Sequence, residues 1–468
     1  MPNDPKPYDF VIIGGGPAGI YAALELGQRH KTVAVVNSHL ELGGAGVNTG
    51  TIPSKTLRET ALALSGLRSR NLYGVDLSVR REVTVNDFLG HEQNVRMAFN
   101  KSISDRLNMH MADVYPGNAS FVDPHTIQVS PIPGGPQETV LLRGENILLS
   151  TGSSPNRPDL FFANKGEIYD SDTILELDRI PKTMAVVGSG VIGSEYSCIF
   201  AALGAQVHVI DAHAGLMPFL DPEIIQALSA AMEKNGVTFH WKQSVKQCRV
   251  IENGGVELTL SDAPPMTVDV VLVAAGRRSN TESLNLAAAG VTTDAKGTIP
   301  VDRCYSTNVA HIYAAGDVIG YPALASTSMA QGRLAVRHAL GIEDPALAAV
   351  MPTGIYTIPE ISVAGETEAS LQKSGVAYVV GRARYEDNSR GRIIGDTTGF
   401  LKLIFRREDM QIVGVHVIGE QATEIVHIGL LGILAGVKAE LLVDICFNTP
   451  TLSSMYKMAA LDAMGDVS

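Results

Sequence analysis

Two clusters of glycine stand where a peptide backbone could meet a phosphate. Gly14, Gly16 and Gly19 follow the apolar run Asp9 to Ile13 in Gly14-Gly15-Gly16-Pro17-Ala18-Gly19. Gly188, Gly190 and Gly193 follow Ala185 to Val187 in Gly188-Ser189-Gly190-Val191-Ile192-Gly193. Glycine at this spacing lets main-chain N–H groups at a helix N-terminus approach a pyrophosphate with no Cβ in the way. Alone the pattern is weak, but here each copy has a strand before it and an amphipathic helix after it. The strand that follows the first cluster, Thr32 to Val36, should end in an acid for the ribose hydroxyls, yet Asn37 stands there and accepts more weakly. In the second unit the equivalent strand, Gln206 to Ile210, ends at Asp211. A carboxylate there accepts from the ribose 2′-hydroxyl of NAD and repels the 2′-phosphate of NADP. Between Ala212 and Leu220 there is neither Arg nor Lys, so NADH is expected to be preferred over NADPH.

Other reactive side chains carry less. The four cysteines, Cys198, Cys248, Cys304 and Cys446, are far apart and form no CxxC, and no Cys/His cluster with metal-ligand spacing accompanies them. They are expected to be reduced thiols, Cys198 within a helix, and no metal site is expected. His416 and His427 are read as packing or surface histidines, and Met455 and Met458, at helical spacing, as core or dimer packing.

The elements that position the glycine clusters form a repeated strand, turn and helix, at Tyr8 to Arg29 and at Thr183 to Gly204. Helical patterns follow the first copy at Lys55 to Leu67 and Val85 to Asn108, then strands and turns from Asp113 to Thr151 around Pro131, Pro133 and Gly134. Gly152 follows directly, and the apolar strand from Val270 ends at Gly276. His311 to Leu340 reads as strand, turn and helix, and Glu343 to Val350 as a connector into a last domain that opens at Met351. There the alternating runs Gly399 to Arg406 and Gln411 to Gly419 predict an antiparallel sheet, covered on one face by helices at Glu424 to Ala435 and Ser453 to Ala463.

The whole chain sets the outer bounds. Its 468 residues exceed what one hydrophobic core supports, and 45% hydrophobic with 18% charged residues is an ordinary globular balance. A net charge of −12 argues against nucleic acid or an anionic membrane as partner. No apolar run is long enough to span a bilayer, and the polar start from Met1 to Phe10 has no signal-peptide pattern. Cytoplasmic residence is the expectation.

The segment Gly43-Gly44-Ala45-Gly46-Val47-Asn48-Thr49-Gly50-Thr51-Ile52-Pro53-Ser54-Lys55 resembles the active-site segment of the flavoprotein disulfide reductases. In that family cysteines occupy the positions of Gly46 and Thr51, so the thiol–disulfide route is closed to this chain. The family's His-Pro-Thr-x-Ser-Glu is similar to Thr449-Pro450-Thr451-Leu452-Ser453-Ser454, which puts Thr449 in place of the base and Ser454 in place of its orienting glutamate. Loss of the acid/base pair agrees with loss of the sulfurs, because there is no thiol proton to move. Gly316-Asp317, within Ile312 to Val318, resembles the second FAD fingerprint, whose aspartate bonds the ribityl chain, with a helix from about Leu324 aimed at the flavin. Where family members carry a gating tyrosine over the flavin, this chain has Val191.

The resemblance extends to the soluble pyridine nucleotide transhydrogenases through Ile168 to Asp172, Gly316 to Pro322 and Pro352 to Ser362. It implies an α/β fold with two Rossmann-like dinucleotide-binding domains plus an α+β C-terminal dimerisation domain. The expected bounds are 1–150 and 277–346 for the two parts of an FAD-binding domain, 151–276 for an NAD(P)-binding domain, and 347–468 for dimerisation. Lys55 and Glu195 are implied as the charge pair beside flavin N5, with an ordinary structural ion pair as the other reading. The cofactor-binding candidates are Gly14, Gly16, Gly19, Asn37, Gly50, Thr51, Lys55, Gly152, Gly188, Gly190, Gly193, Asp211, Gly276, Gly316 and Asp317. The implied cofactors are FAD and NAD(H), with NADP(H) left open, and the implied assembly is a homodimer. The expected function is hydride transfer from NAD(P)H through flavin to a second nucleotide. An NADH-dependent quinone or dye reductase and a non-catalytic flavin sensor are the alternatives.

Overall fold

The computed structural model describes residues 4–66, 83–163, 166–251, 254–342 and 350–465. The expected connector at Glu343 to Val350 and the end of the helical pattern at Leu67 lie largely outside them. The chain divides into two compact units. One gathers Met1–Thr56, Leu89–Asn156 and Ala275–Leu347, and the other Leu57–Phe88, Arg157–Ala274 and Ala348–Ser468.

In the first unit a seven-stranded sheet carries a parallel core of Asp113–Pro116, Val33–Asn37, Lys6–Ile13, Val140–Leu149 and Ile312–Ala314. Strands Thr126–Ser130 and Asn118–Asp123 extend it antiparallel. The parallel strands read as unbroken apolar runs because both faces are covered, and Val33–Asn37 is buried at every residue. Register decides what the sheet can do. Ile13 pairs with Val36 and with Leu149, and Leu149 with Ala314, so these strands end level. Gly14, Asn37, Gly152 and Gly316 therefore emerge at one carboxyl edge, where open α/β sheets bind ligands.

Among its described residues the second unit holds three sheets, the smallest being the antiparallel Val245–Val250, Val256–Leu260 and Met266–Val268. Five parallel strands, Val237–Trp241, Gln206–Asp211, Thr183–Val187, Val270–Val273 and Ile168–Asp170, form its nucleotide-type layer. A separate five-stranded antiparallel sheet runs Thr353–Ile355, Ile361–Gly365, Ile412–Ile418, Phe400–Arg406 and Tyr378–Arg384. Helices Ala422–Ala435 and Met455–Gly465 cover it around Leu401, Leu403, Phe405, Val415 and Tyr456. Among the described residues no helix is long and apolar enough to cross a membrane.

Candidate functional site

In the first unit helix Pro17–Gly27 starts from Gly16, with no side-chain cap and no acid in its first turn. Its leading N–H groups thus remain available to an anion. Gly19 has to be glycine, since a Cβ there would lie 2.0 Å from the Gly14 carbonyl oxygen. At Gly16 the nearest atom to a Cβ is Gly44 Cα at 3.9 Å, which leaves room for a phosphate. Helix Ala325–Ala339 is uncapped by side chains in the same way, from Leu324.

Asn37 is committed within the protein. Its Oδ1 accepts from the Gly15 N–H at 3.1 Å, and its Nδ2 donates to the His39 and Glu41 carbonyls at 2.8 and 2.9 Å. It braces the glycine turn against the loop beyond its own strand. Asp317 accepts from the Ser153 hydroxyl at 2.8 Å, and Ser153 is gripped by Arg277, Nε to Oγ at 2.9 Å and Nη2 to the carbonyl at 2.7 Å. Gly316 donates its N–H to Gln331 Oε1 at 2.8 Å, and Gly276 accepts from Asn156 N–H at 3.0 Å. Arg277, Ser153 and Gln331 were not among the residues expected from sequence, and only the arginine directly after Gly276 could have drawn notice.

The segment 43–55 forms a short helix, Gly44–Asn48, and the start of helix Thr51–Ser65. A Cβ at Gly46 would stand 2.8 Å from Pro17 Cγ, a ring atom in the glycine-rich turn. A cysteine at this position therefore requires that ring to move. Gly50 donates to the Ala45 carbonyl at 2.7 Å and closes the turn between the two helices. Thr51 is exposed, and Lys55 Nζ lies 3.2 Å from Ser54 Oγ.

In the second unit helix Val191–Ala202 starts uncapped from Gly190, again with no acid in its first turn. Nothing lies within 4 Å of a Cβ at Gly190, while one at Gly193 would meet the Gly188 oxygen at 2.0 Å. Asp211 Oδ2 accepts from Ser189 N–H and Oγ, both at 2.7 Å, and Oδ1 from His213 N–H and Nδ1, both at 2.8 Å. Burial alone would raise the Asp211 carboxyl, but these donors outweigh it and hold the group below the usual carboxylate range.

Glu195 is buried on the Val191–Ala202 helix, and its Oε1 accepts from the Tyr356 N–H at 2.8 Å. The segment that follows Tyr356 is fixed by Arg58, whose Nε donates to the Thr357 carbonyl at 2.9 Å while its Nη1 pairs with Glu360 at 3.1 Å. Cys198, one turn beyond Glu195, is buried in the same helix, and burial pushes its thiol up to about 12. It is a neutral packing group. Thr449 is exposed, and Ser454 accepts from Asn388 Nδ2 at 2.9 Å and donates to the Thr451 carbonyl at 2.8 Å. His416 is buried with Nε2 on the Glu366 carbonyl at 2.9 Å, and His427 is exposed.

Two uncapped glycine-rich helix starts on parallel sheets suit the pyrophosphates of two dinucleotides, the ligand pair of a flavin- and nicotinamide-dependent oxidoreductase. Sequence comparison agrees. The pyridine nucleotide-disulphide oxidoreductase description matches residues 8–332, and that family's dimerisation domain matches residues 351–460. The chain belongs to this family, whose members use FAD and a pyridine nucleotide. A soluble pyridine nucleotide transhydrogenase of Mycobacterium tuberculosis is 43% identical over 459 residues, covering 98% of this chain and 97% of the relative. One from Colwellia psychrerythraea is 39% identical, with 98% of each chain covered. Among solved structures, the HOCl-induced flavoprotein disulfide reductase RclA from Escherichia coli superposes with a TM-score of 0.88 at 25% identity, covering 97% of this chain and 99% of that one. LpdA from Mycobacterium tuberculosis gives 0.89 at 25% identity, with the same coverage. The open cradle at Gly16, the two uncapped helices and the braced Asp317 in the first unit fit FAD.

Proposed function

We propose that this chain is an FAD-dependent oxidoreductase that moves a hydride from one nicotinamide nucleotide to another, the activity named in its transhydrogenase relatives. One observation carries the reading. Both dinucleotide cradles are built, while Gly46 and Thr51 stand where the sulfurs would be and Pro17 fills the space that a side chain at 46 would need. When bound, FAD supplies reversible storage of a hydride. Gly14, Gly16 and Gly19 would hold its pyrophosphate, Asp317, set by Ser153 and Arg277, its ribityl chain, and Gly50, Thr51, Gly152 and Gly276 would line its bed.

Gly188, Gly190 and Gly193 would seat the nicotinamide nucleotide. Lys55 and Glu195 would set the charge around the reacting ring, Glu195 being held in place by the Tyr356 N–H. The net reaction, NADPH + NAD+ → NADP+ + NADH, releases no proton. It needs no acid or base, which suits Thr449 and Ser454. The domain assignment follows: 1–150 and 277–346 for FAD, 151–276 for the nicotinamide nucleotide, and 347–468 for assembly. Exposed Leu431, Leu434, Leu441, Ile445 and Leu461 on the helical face of that last part support a homodimer, for which sedimentation should return twice the chain mass. Free cysteines support a cytoplasmic setting, which fractionation would check.

A second reading, an NADH-dependent reductase of quinones or dyes, draws on Asp211. Anaerobic mixing with NADH and, separately, NADPH separates the two. Transhydrogenation requires both to bleach the flavin within catalytic times; failure of NADPH to do so favours the reductase. Neither should raise a long-wavelength thiolate-to-flavin band, and such a band would overturn the alignment of Gly46 and Thr51 with the family's cysteines.

A further inference from the structure

We propose that Arg58 is a positioning residue for hydride transfer, holding the main chain from Tyr356 to Glu360 so that the Tyr356 N–H keeps the Glu195 carboxylate in place. This rests on the reading above that Glu195 sets the charge around the reacting ring. The Tyr356 N–H reaches Glu195 Oε1 at 2.8 Å, and what fixes that N–H is the chain that follows it. Arg58 Nε donates to the Thr357 carbonyl at 2.9 Å and its Nη1 pairs with Glu360 at 3.1 Å, so one planar guanidinium grips the segment at two points. The Glu360 carbonyl accepts from the Gly419 N–H at 2.9 Å, and its carboxylate accepts from the Thr423 hydroxyl at 2.9 Å. Thr423 lies in the first turn of helix Ala422–Ala435, so the clamp is anchored in the antiparallel sheet and its covering helix.

Stability alone does not call for an arginine here. The Arg58 side chain is 2% exposed and that of Glu360 9%, and a buried ion pair seldom stabilises more than apolar side chains of the same volume would. What apolar side chains cannot do is fix a carbonyl oxygen. A third partner, Glu59 at 2.6 Å, is 48% exposed, so solvent screens that pairing and the buried contacts to Thr357 and Glu360 carry the specificity. Thr357 is fully buried, and its hydroxyl donates to the Pro359 carbonyl at 2.7 Å, which stiffens the segment between the two points that Arg58 holds. Cys198, on the same helix as Glu195, directs its thiol to the Ile358 carbonyl at 3.9 Å. The segment is thus fastened on one side to the helix of Glu195 and on the other to Arg58, and a shift at Thr357 passes to Tyr356 and from there to the carboxylate.

The test is a double-mutant cycle on the FAD-loaded protein, read by stopped-flow reduction of the flavin with NADH. Arg58→Lys keeps the charge but puts one ammonium in place of the fork. It should lower the limiting rate about tenfold, by moving a group that acts only when correctly placed, with little change in the NADH concentration that gives half that rate. In the Glu195→Gln background there is no carboxylate charge to displace, and the same substitution should change the rate less than about twofold. Glu360→Gln loosens the other end of the clamp and should show the same pattern, so it carries the test if Arg58→Lys does not load FAD. Glu59→Gln should leave the rate unchanged. Equal effects of Arg58→Lys in both backgrounds, wild-type rates for both Arg58→Lys and Glu360→Gln, or a loss in Glu59→Gln as large as theirs overturn the proposal and leave the reading of Glu195 intact. Failure of both clamp variants to load FAD would mark the clamp as a folding element and overturn it too. If Glu195→Gln itself reduces flavin at the wild-type rate, the reading of Glu195 fails and the proposal with it.

Discussion

Lys55 and Glu195 are held by different means. Glu195 is buried and bonded by a main-chain N–H, which cannot rotate away, whereas Lys55 lies at the start of a helix with its Nζ 3.2 Å from Ser54 Oγ. If the pair sets the charge around the reacting ring, Lys55→Met should slow flavin reduction by NADH about a hundredfold, the scale of one lost electrostatic group. Glu195→Gln keeps the bond from Tyr356 and should slow it less. Stopped-flow traces read both effects, and a fall under threefold for Lys55→Met would mark the pair as structural. At this scale the glycine turns and the place of Asp211 at a strand end were legible because their spacing along the chain is fixed by a turn or a strand. Arg58, Arg277 and Tyr356 were not. They reach their places through register and packing between distant segments, which no local spacing encodes. Asp211 is the instructive case: its position was legible, but its four internal donors were not.

Helices Pro17–Gly27 and Ala325–Ala339 both present uncapped N-termini, and they pack closely because position 332 has no side chain. A Cβ on Gly332 would fall 2.1 Å from the Ala18 carbonyl oxygen, a main-chain atom that cannot turn aside. Gly332→Ala should therefore push the helices apart, costing about 1–3 kcal/mol and lowering FAD occupancy. The flavin-to-protein absorbance ratio and the urea midpoint would show it, and full occupancy in the variant would separate helix contact from cofactor binding. Strand and helix assignments held where periodicity was strong, as at Lys6–Ile13 and Val85–Met109. The helix read from Lys55 begins at Thr51 instead, since its first turn, Thr51-Ile52-Pro53-Ser54, carries proline at a position where a missing N–H costs nothing.

Across the second unit, a buried charge cluster ties the nucleotide-type layer to the antiparallel sheet. Lys402, 1% exposed, bonds Asp221 at 2.8 Å and Glu223 at 2.6 Å, and Arg382 pairs with Glu223 at 2.7 Å. Hydrogen bonding from Arg382, opposed by burial and joined by Lys402, holds the Glu223 carboxyl down at about 2. Its folded value lies below the unfolded one of about 4.3, so the stabilisation is present above that pH and is lost as pH falls toward about 2. Glu223→Gln should flatten that acid limb of the urea midpoint against pH. Lys402→Met leaves Asp221 charged and enclosed, and should cost about 3–5 kcal/mol. None of this cluster was legible in sequence, because residues 221 and 402 meet only once two separate sheets have formed. The two parallel sheets and the antiparallel sheet near the end were legible, through the repeated glycine units and the alternating runs. The central claim concerns what the assembled protein does with two nucleotides. The most direct test mixes the FAD-loaded protein anaerobically with NADPH and thio-NAD+ and follows thio-NADH. The account predicts sustained turnover with one thio-NADH formed for each NADPH consumed, and no thio-NADH beyond the enzyme-free control would contradict it.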